Sequence, residues 1–310
     1  MIVTSTDIKG LKKHITGKVR DVYDLGDSLL IVASDRISAF DVVLPTGIPD
    51  KGKVLTQISM FWFGMTKDVV ENHVITADID EILERIKAAG AEDPEKHREE
   101  LDGRSMIVVK AKPYPIECVV RGYLSGSAWK EYSALKKASG NGDNIVLHGV
   151  ELSSDMLESQ KLPKPVFTPS TKESEGHDQN ISAQRAREIV GQEAGTQLEA
   201  ISLAVYKRAS EYAAERGVII ADTKFEIGLL DDRMILIDEA LTPDSSRFWD
   251  AKTYEPGKGQ PSFDKQFVRD YLLTLDWDKT YPGPELPAEI VDKTAEKYRE
   301  AYSRIVGREL

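Results

Sequence analysis

Asp222, Lys224 and Glu226 stand at every second position of the stretch Val218 to Asp250, alternating with Ala221, Thr223, Phe225 and Ile227. Successive side chains of a strand point to opposite faces, so the charged set shares one face and the apolar set the other. A second run, Met234 to Ala240, alternates as well, with Leu236, Asp238 and Ala240 against Ile235, Ile237 and Glu239. With Asp231 to Arg233 as the hairpin loop, Glu226 is expected opposite Asp238. Like charges facing each other across strands are destabilising, so this pair asks for a cation. Carboxylate oxygens that hold a hard cation against phosphate describe a magnesium site. The reading is a Mg-nucleotide site on a hairpin, with Lys224 between the acids as a phosphate or carboxylate partner. The same alternation also describes a solvated hairpin face, and a bulge at Gly228 would shift the register.

Four other stretches carry residues suited to anions. Gly17 to Tyr23 (GKVRDVY) places Lys18 and Arg20 before a turn at Asp24–Asp27 and a short apolar strand, Ser28 to Ser34. That arrangement folds over phosphates or is a plain charged hairpin; the chain has neither GxxxxGK[ST] nor GxGxxG. Asp35 to Asp41 (DRISAFD) is a polar loop between apolar runs, and loops on rigid scaffolds often carry function. Arg121 ends an apolar strand and precedes a Gly-Ser turn with Ser127 at the start of a helix. A guanidinium fork and free helix N–H groups both favour phosphate or carboxylate, although Arg121 also suits an acidic neighbour and Ser127 a helix cap. Phe167 to Asp178 (FTPSTKESEGHD) is polar and aperiodic, a lid over a charged substrate or a surface loop. His177 beside Asp178 does not make a metal site.

The elements that must position these residues follow from periodicity. Helices are expected over Gly52–Val70, Ile79–Ala89, Ala128–Lys137, Ile181–Val190, Thr196–Arg216, Phe263–Leu275 and Pro287–Val306. Ser105 to Leu124 reads as two apolar strands broken by Lys112-Pro113-Tyr114-Pro115, a suitable lobe boundary. Residues 138–164 read as a polar excursion. The length of 310 residues suggests two lobes, since one core rarely grows past about 250–300 residues. A net charge of −11 argues against a nucleic-acid surface. Cys118 is the single cysteine, so no intrachain disulfide or cysteine-rich zinc site is expected. MIVTSTDIKGLKKH lacks the apolar run of a signal peptide. No stretch approaches the roughly 20 apolar residues of a membrane span. A cytoplasmic location and no membrane partner are the expectations.

Together, IECVVRGYLSGS (116–127), IADTKFEIG (220–228) and DEALTPDSSRFWD (238–250), with GKVRDVY and SDRISAFD, resemble the phosphoribosylaminoimidazole-succinocarboxamide synthase (SAICAR synthetase) family. The resemblance runs from about Gly10 to Tyr281, and the long insertion before FTPSTKESEGHD is similar to the longer, yeast-like form. It implies an α+β fold of two lobes with ATP between them, related to kinase and ATP-grasp architectures. The lobes are a β-rich one over residues 1–112 and a larger α/β one over residues 113–310. It implies a ligase that joins L-aspartate to the carboxylate of carboxyaminoimidazole ribonucleotide (CAIR), releasing ADP and phosphate. Lys18 and Arg20 would meet the ATP phosphates, and the backbone of Lys110 to Lys112 would hold adenine. Glu226 and Asp238 would carry Mg²⁺, with Asp222 and Lys224 beside them. Arg121, Ser127 and Arg247 would bind the ribonucleotide phosphate. Ser38 and Asp41 would line the CAIR and aspartate pocket, and Lys172 and Asp178 would close over it. Catalytic roles fall to Lys224, Asp222 and Asp41. The expected partners are small molecules, and a monomer is the expected state. A kinase of related fold would keep ATP and Mg²⁺ but calls for HRD-like and DFG-like motifs, which the chain lacks. A nonenzymatic nucleotide binder would tolerate loss of Lys18, Arg121, Glu226, Asp238 and Arg247, all of which are present.

Overall fold

In the computed structural model, residues 1–139, 144–172, 179–263 and 265–310 are described. The chain begins with three short strands, Lys12–Thr16 (β1), Arg20–Asp24 (β2) and Ser28–Ala33 (β3), then the two-residue strands Ser38–Ala39 (β4) and Val42–Val43 (β5). Helix Lys51–Met65 (α1), strand Val74–Thr76 (β6), helix Ile79–Ala88 (α2), a short turn of helix at Arg98–Leu101 (α3) and strand Ser105–Val109 (β7) follow. These strands form an antiparallel sheet in the order β1-β2-β3-β7-β6, with β4 and β5 pairing separately. Helix α2 starts where its sequence says it must. Asp78 accepts from the backbone N–H groups of Asp80 and Glu81 at 3.0 and 3.1 Å, and acids fill the first turn with bases in the last, which suits the helix dipole.

The second half runs through Lys112–Pro113 (β8), Ile116–Tyr123 (β9), helix Gly126–Ala138 (α4), Ile145–Leu147 (β10), Val150–Leu152 (β11), Lys161–Phe167 (β12) and Ser170–Thr171 (β13). Helices Ala183–Val190 (α5) and Gln192–Ala214 (α6), strands Val218–Leu230 (β14), Arg233–Ile237 (β15) and Ser246–Asp250 (β16), and helices Gln266–Leu272 (α7) and Ala288–Val306 (α8) complete it. The 13-residue β14 is the spine of the second sheet. It pairs with β9 and β16 along its first half and with β15 and β8 along its second. Helix α6 covers one face, where its Leu198, Val205 and Ala209 are buried and the Tyr206 hydroxyl donates to Ile220 O at 2.7 Å. Ile201 and Tyr212 lie half-buried at the edge of that stripe. Phe225 and Ile227 face the same core, each contributing about 1.5–3 kcal/mol by burial.

The sheets change over between β7 and β9, but the cores do not divide there. One cluster joins Val54, Leu55 and Trp62 of α1 to Phe225, Tyr298 and Ile305 of the second half. Another joins Ile37 and Leu44 to Val268 and Leu286. Residues 144–164 are more ordered than a polar excursion. Ile145, Leu147, Leu152, Met156 and Leu162 are sparse in sequence, yet they close a small core over Leu124 and Tyr132.

The start of α1 is pinned from below. Asp35 Oδ1 accepts from Gly52 N at 2.9 Å and from Arg104 Nη1 at 2.8 Å, a buried carboxylate and guanidinium pair. A methyl group on Gly52 would sit 2.1 Å from Ala33 O and 2.6 Å from Arg104 Nη1. Gly52→Ala should therefore lower the unfolding free energy by about 2–3 kcal/mol, as overpacking at an unyielding site does; the shift of the urea midpoint at unchanged slope measures it.

Candidate active site

The hairpin is one residue tighter than its sequence suggested. Asp231 and Asp232 both have left-handed φ, 47° and 60°, the pattern of a two-residue primed turn. Leu230 then pairs with Arg233, and Glu226 lies opposite Ile237 rather than Asp238. Strand β15 also stops at Ile237, because Asp238 turns left-handed at φ 66°. The facing-carboxylate argument for the metal site therefore fails in its register. Asp238 lines the second cavity described below and Glu226 lines neither, and each is balanced by a base. Glu226 Oε2 holds Lys172 Nζ at 2.6 Å. Asp238 pairs with Arg20, whose other nitrogen reaches Glu239 Oε1 at 2.9 Å. Among the described residues no group of three or more His, Cys, Asp or Glu forms a metal cage. Magnesium does not need one, since one or two carboxylates plus substrate phosphates usually hold it. Two partly exposed carboxylates fit that donor set.

The row across three strands is Arg121 of β9, Asp222 of β14 and Arg247 of β16, in direct register. Arg121 Nη1 donates to Asp222 Oδ2 at 3.0 Å, Arg247 Nη1 reaches the same oxygen, and Ser125 Oγ lies 3.4 Å from it. Arg121 is also fixed by Thr168 Oγ1 at 2.9 Å and Ser127 Oγ at 3.2 Å. Burial pulls the Arg121 pKa down, although Asp222 works against that. Asp222 thus aligns two guanidiniums. One step along β14, Lys224 Nζ takes Glu117 Oε1 diagonally across the strands at 2.7 Å. Burial opposes the Lys224 ammonium, and the Glu117 carboxylate more than offsets it, so its pKa is raised.

These residues line a cavity of about 270 Å³ with Ser127, Asn180 and Arg269. A second cavity of about 370 Å³ has an apolar wall of Ile15, Val19, Val22 and Ile31 and a charged end of Lys18, Arg20, Asp238 and Glu239, with Ser38 beside it. Arg36 shapes that end by donating to Gly17 O at 2.9 Å, Lys18 O at 3.2 Å and Asp21 Oδ1 at 2.9 Å. Burial opposes the charge of Arg20, but Asp238 and Glu239 hold its pKa above the ordinary value. Buried His73 stays neutral, pushed down to about 3 by burial and then by the Arg20 charge.

Lys224, Asp244 and Lys265 line both cavities and mark where they meet. Asp244 comes from the Thr-Pro-Asp-Ser-Ser turn, where Thr242 Oγ1 accepts from Asp244 N and Ser245 N at 3.2 Å each and donates to Glu239 Oε2 at 2.5 Å. The Asp244 carboxylate takes Lys51 Nζ at 2.7 Å, Tyr298 Oη at 2.5 Å and Lys265 Nζ at 3.6 Å. Burial opposes its charge, and the two lysines overcome that, holding its pKa below the carboxylate range.

Of the expected residues, Lys18, Arg20, Ser38, Arg121, Ser127, Asp222, Lys224, Asp238 and Arg247 line the two cavities. Asp41 sits at the rim, paired with Lys18. The side chain of Lys110 binds Asp24 Oδ1 and Gly26 O, which leaves the expectation for its backbone untouched. Lys112 is exposed on β8, opposite Leu229. Asp178 lies outside the described residues. Glu117, Asp244, Lys265 and Arg269 were not anticipated. Glu117 shares its strand face with Arg121, and Lys265 and Arg269 stand four apart at an expected helix, so both spacings held a signal.

Two cavities that meet at three charged side chains suit an enzyme that brings two anionic ligands to one point. The SAICAR synthetase family model matches residues 13–284. A phosphoribosylaminoimidazole-succinocarboxamide synthase from Thermodesulfovibrio yellowstonii is 53% identical, the match covering 97% of each chain. Among solved structures, the SAICAR synthase of Saccharomyces cerevisiae complexed with SAICAR superposes with a TM-score of 0.87 at 41% identity, covering 99% of each chain. A SAICAR synthetase in complex with ADP gives 0.66 at 26% identity, covering 96% of this chain and 98% of that one. The chain belongs to the SAICAR synthetase family, a family of purine-biosynthesis ligases. The kinase alternative is not favoured.

Asp244→Asn should cost about 3–5 kcal/mol at neutral pH, since it leaves Lys51 buried without its counter-charge. The Asp244 pKa is depressed in the fold, so its contribution is complete above the ordinary carboxylate value of about 3.9 and erodes as pH falls below it. Urea unfolding should therefore give a wild-type-to-variant gap that is constant from pH 7 to 5 and narrows near pH 3.

Proposed function

We propose that this chain joins L-aspartate to the carboxylate of CAIR at the expense of ATP, giving SAICAR, ADP and phosphate. The observation that carries the reading is the junction of the two cavities at Lys224, Asp244 and Lys265, in a chain of this family. The apolar wall of Ile15, Val19, Val22 and Ile31 suits a planar base, and Lys18 and Arg20 beyond it suit phosphates. Arg121 and Arg247, held side by side by Asp222, present two guanidiniums to the ribonucleotide phosphate, with Ser127 beside them. The two-lobe division at residue 112 is part of the proposal; the sheet changes there, while one apolar cluster spans both halves. A monomer is part of the proposal. Among the described residues no helix is long and apolar enough to cross a membrane, and a cytoplasmic setting is part of the proposal.

A carboxylate is a poor electrophile toward an amine. Its oxygen attacks the γ-phosphorus of ATP and ADP leaves, forming an acyl phosphate. The aspartate amine then attacks the acyl carbon, phosphate departs, and the amine loses a proton. Such transfers depend mostly on positioning and charge neutralisation. Lys224, with Glu117 keeping it protonated, neutralises charge between the phosphate donor and the CAIR carboxylate. Glu226 and Asp238 would hold Mg²⁺, which when bound neutralises the phosphate oxygens. Lys172 and Arg20, now their counter-ions, are then available to the phosphates. Ser38 and Asp41 flank this region.

ADP should form from ATP only when CAIR and L-aspartate are both present, together with SAICAR; ADP formed without SAICAR under every condition would sink the proposal. Glu226→Gln or Asp238→Asn should lower kcat about a hundredfold or more with the unfolding midpoint near wild type; near-normal turnover in either variant removes it from the metal site. Arg247→Ala should raise the KM for CAIR about tenfold or more while leaving that for ATP nearly unchanged, and steady-state kinetics separate the two.

A further inference from the structure

We infer that Tyr298 is a positioning residue for the reaction, acting through Asp244 on the ammonium of Lys265. Its helix, α8, begins at Ala288, beyond the last residue of the family match at 284. The α8 helix nevertheless delivers a fully buried phenol to the junction of the two cavities.

The inference rests on how the two oxygens of Asp244 are shared. Oδ1 accepts from Tyr298 Oη at 2.5 Å. Oδ2 accepts from Lys51 Nζ at 2.7 Å, and Lys265 Nζ stands off the same oxygen at 3.6 Å. Lys51 is fully buried, so its ammonium is bound to this carboxylate. Lys265 lines both cavities. At 3.6 Å its ammonium is only loosely tied to the carboxylate, at a position from which it can meet an anion entering either cavity. With the phenol hydroxyl gone, Oδ1 can turn and take Lys265 in a close charge-assisted contact, which is shorter and stronger than the present one. The ammonium would then be drawn out of the junction. Tyr298 thus keeps the carboxylate engaged on its inner side and Lys265 available on its outer side. The ring itself packs against α1 within the shared core and under Lys51, whose Nζ lies 5.5 Å from the ring centroid. Tyr298→Phe keeps that packing and removes only the hydroxyl.

Two measurements test this. The first needs no turnover: the rate at which a small anhydride acylates Lys265, followed by mass spectrometry on the intact folded chain. Tyr298→Phe should slow labelling of Lys265 several-fold, while a surface lysine such as Lys130 labels at an unchanged rate. An unchanged or faster Lys265 rate overturns the inference. The second rests on the ligase reading above. Tyr298→Phe should lower kcat about tenfold, the size of one charge-assisted hydrogen bond, with the KM for ATP within about twofold and the urea midpoint near wild type. In a Lys265→Met background the same change should have no further effect on kcat, because residues acting through one another are not additive. Additive losses, or a lowered midpoint with kcat unchanged, would show a structural role alone and overturn the inference. A wild-type chain that makes no SAICAR would refute the ligase reading, and the labelling result would still decide the role of Tyr298.

Discussion

The site depends on one geometric constraint, the two-residue period of β14. A strand flanked on both edges cannot slide without moving every side chain to the wrong face. Strands β9 and β16 fix the first half of β14 and strands β8 and β15 the second. Phe225 and Ile227 lock the apolar face against the core. Asp222, Lys224 and Glu226 are thereby held on the opposite face. The energy that orders the charged face is largely hydrophobic and comes from its reverse side.

Charge is then distributed by pairing. Asp222 serves two arginines, Glu117 serves Lys224, Asp238 and Glu239 serve Arg20, and Glu226 serves Lys172. Partly buried bases are expensive to leave alone, so each acid keeps a cation in place while the chain as a whole carries a net charge of −11. An anionic ligand meets locally concentrated positive charge. The acids beside it are already neutralised and offer it little repulsion.

Much of this was legible in the sequence because it followed from period or from adjacent residues. The charged face of β14, the amphipathic α6 and the apolar strand that carries Arg121 are of that kind. The register of the hairpin was not. Asp231-Asp232 and Asp231-Asp232-Arg233 are both plausible loops, and the choice depends on left-handed dihedrals that aspartate tolerates but does not require. Glu117 was hidden by sitting in an apolar run. Lys51 and Tyr298 were hidden by distance along the chain, since nothing in helical periodicity marks a lysine or a tyrosine as the buried partner of a remote carboxylate. The small core over α4 was overlooked because its apolar residues are few and separated by turns.

The separation between Lys51 and Asp244 is 193 residues, and this bears on biosynthesis. Lys51 leaves the ribosome early, in a helix whose first turn is to be buried with a charge on it. Its counter-ion is made much later, and the phenol that fixes that counter-ion belongs to the last helix. Domains tend to fold as units during synthesis, but here the floor of the cleft cannot close until nearly the whole chain is available. Long-range contacts of this sort slow folding. Helix α1 must therefore wait with its lysine solvated, and the cleft is among the last parts of the molecule to form.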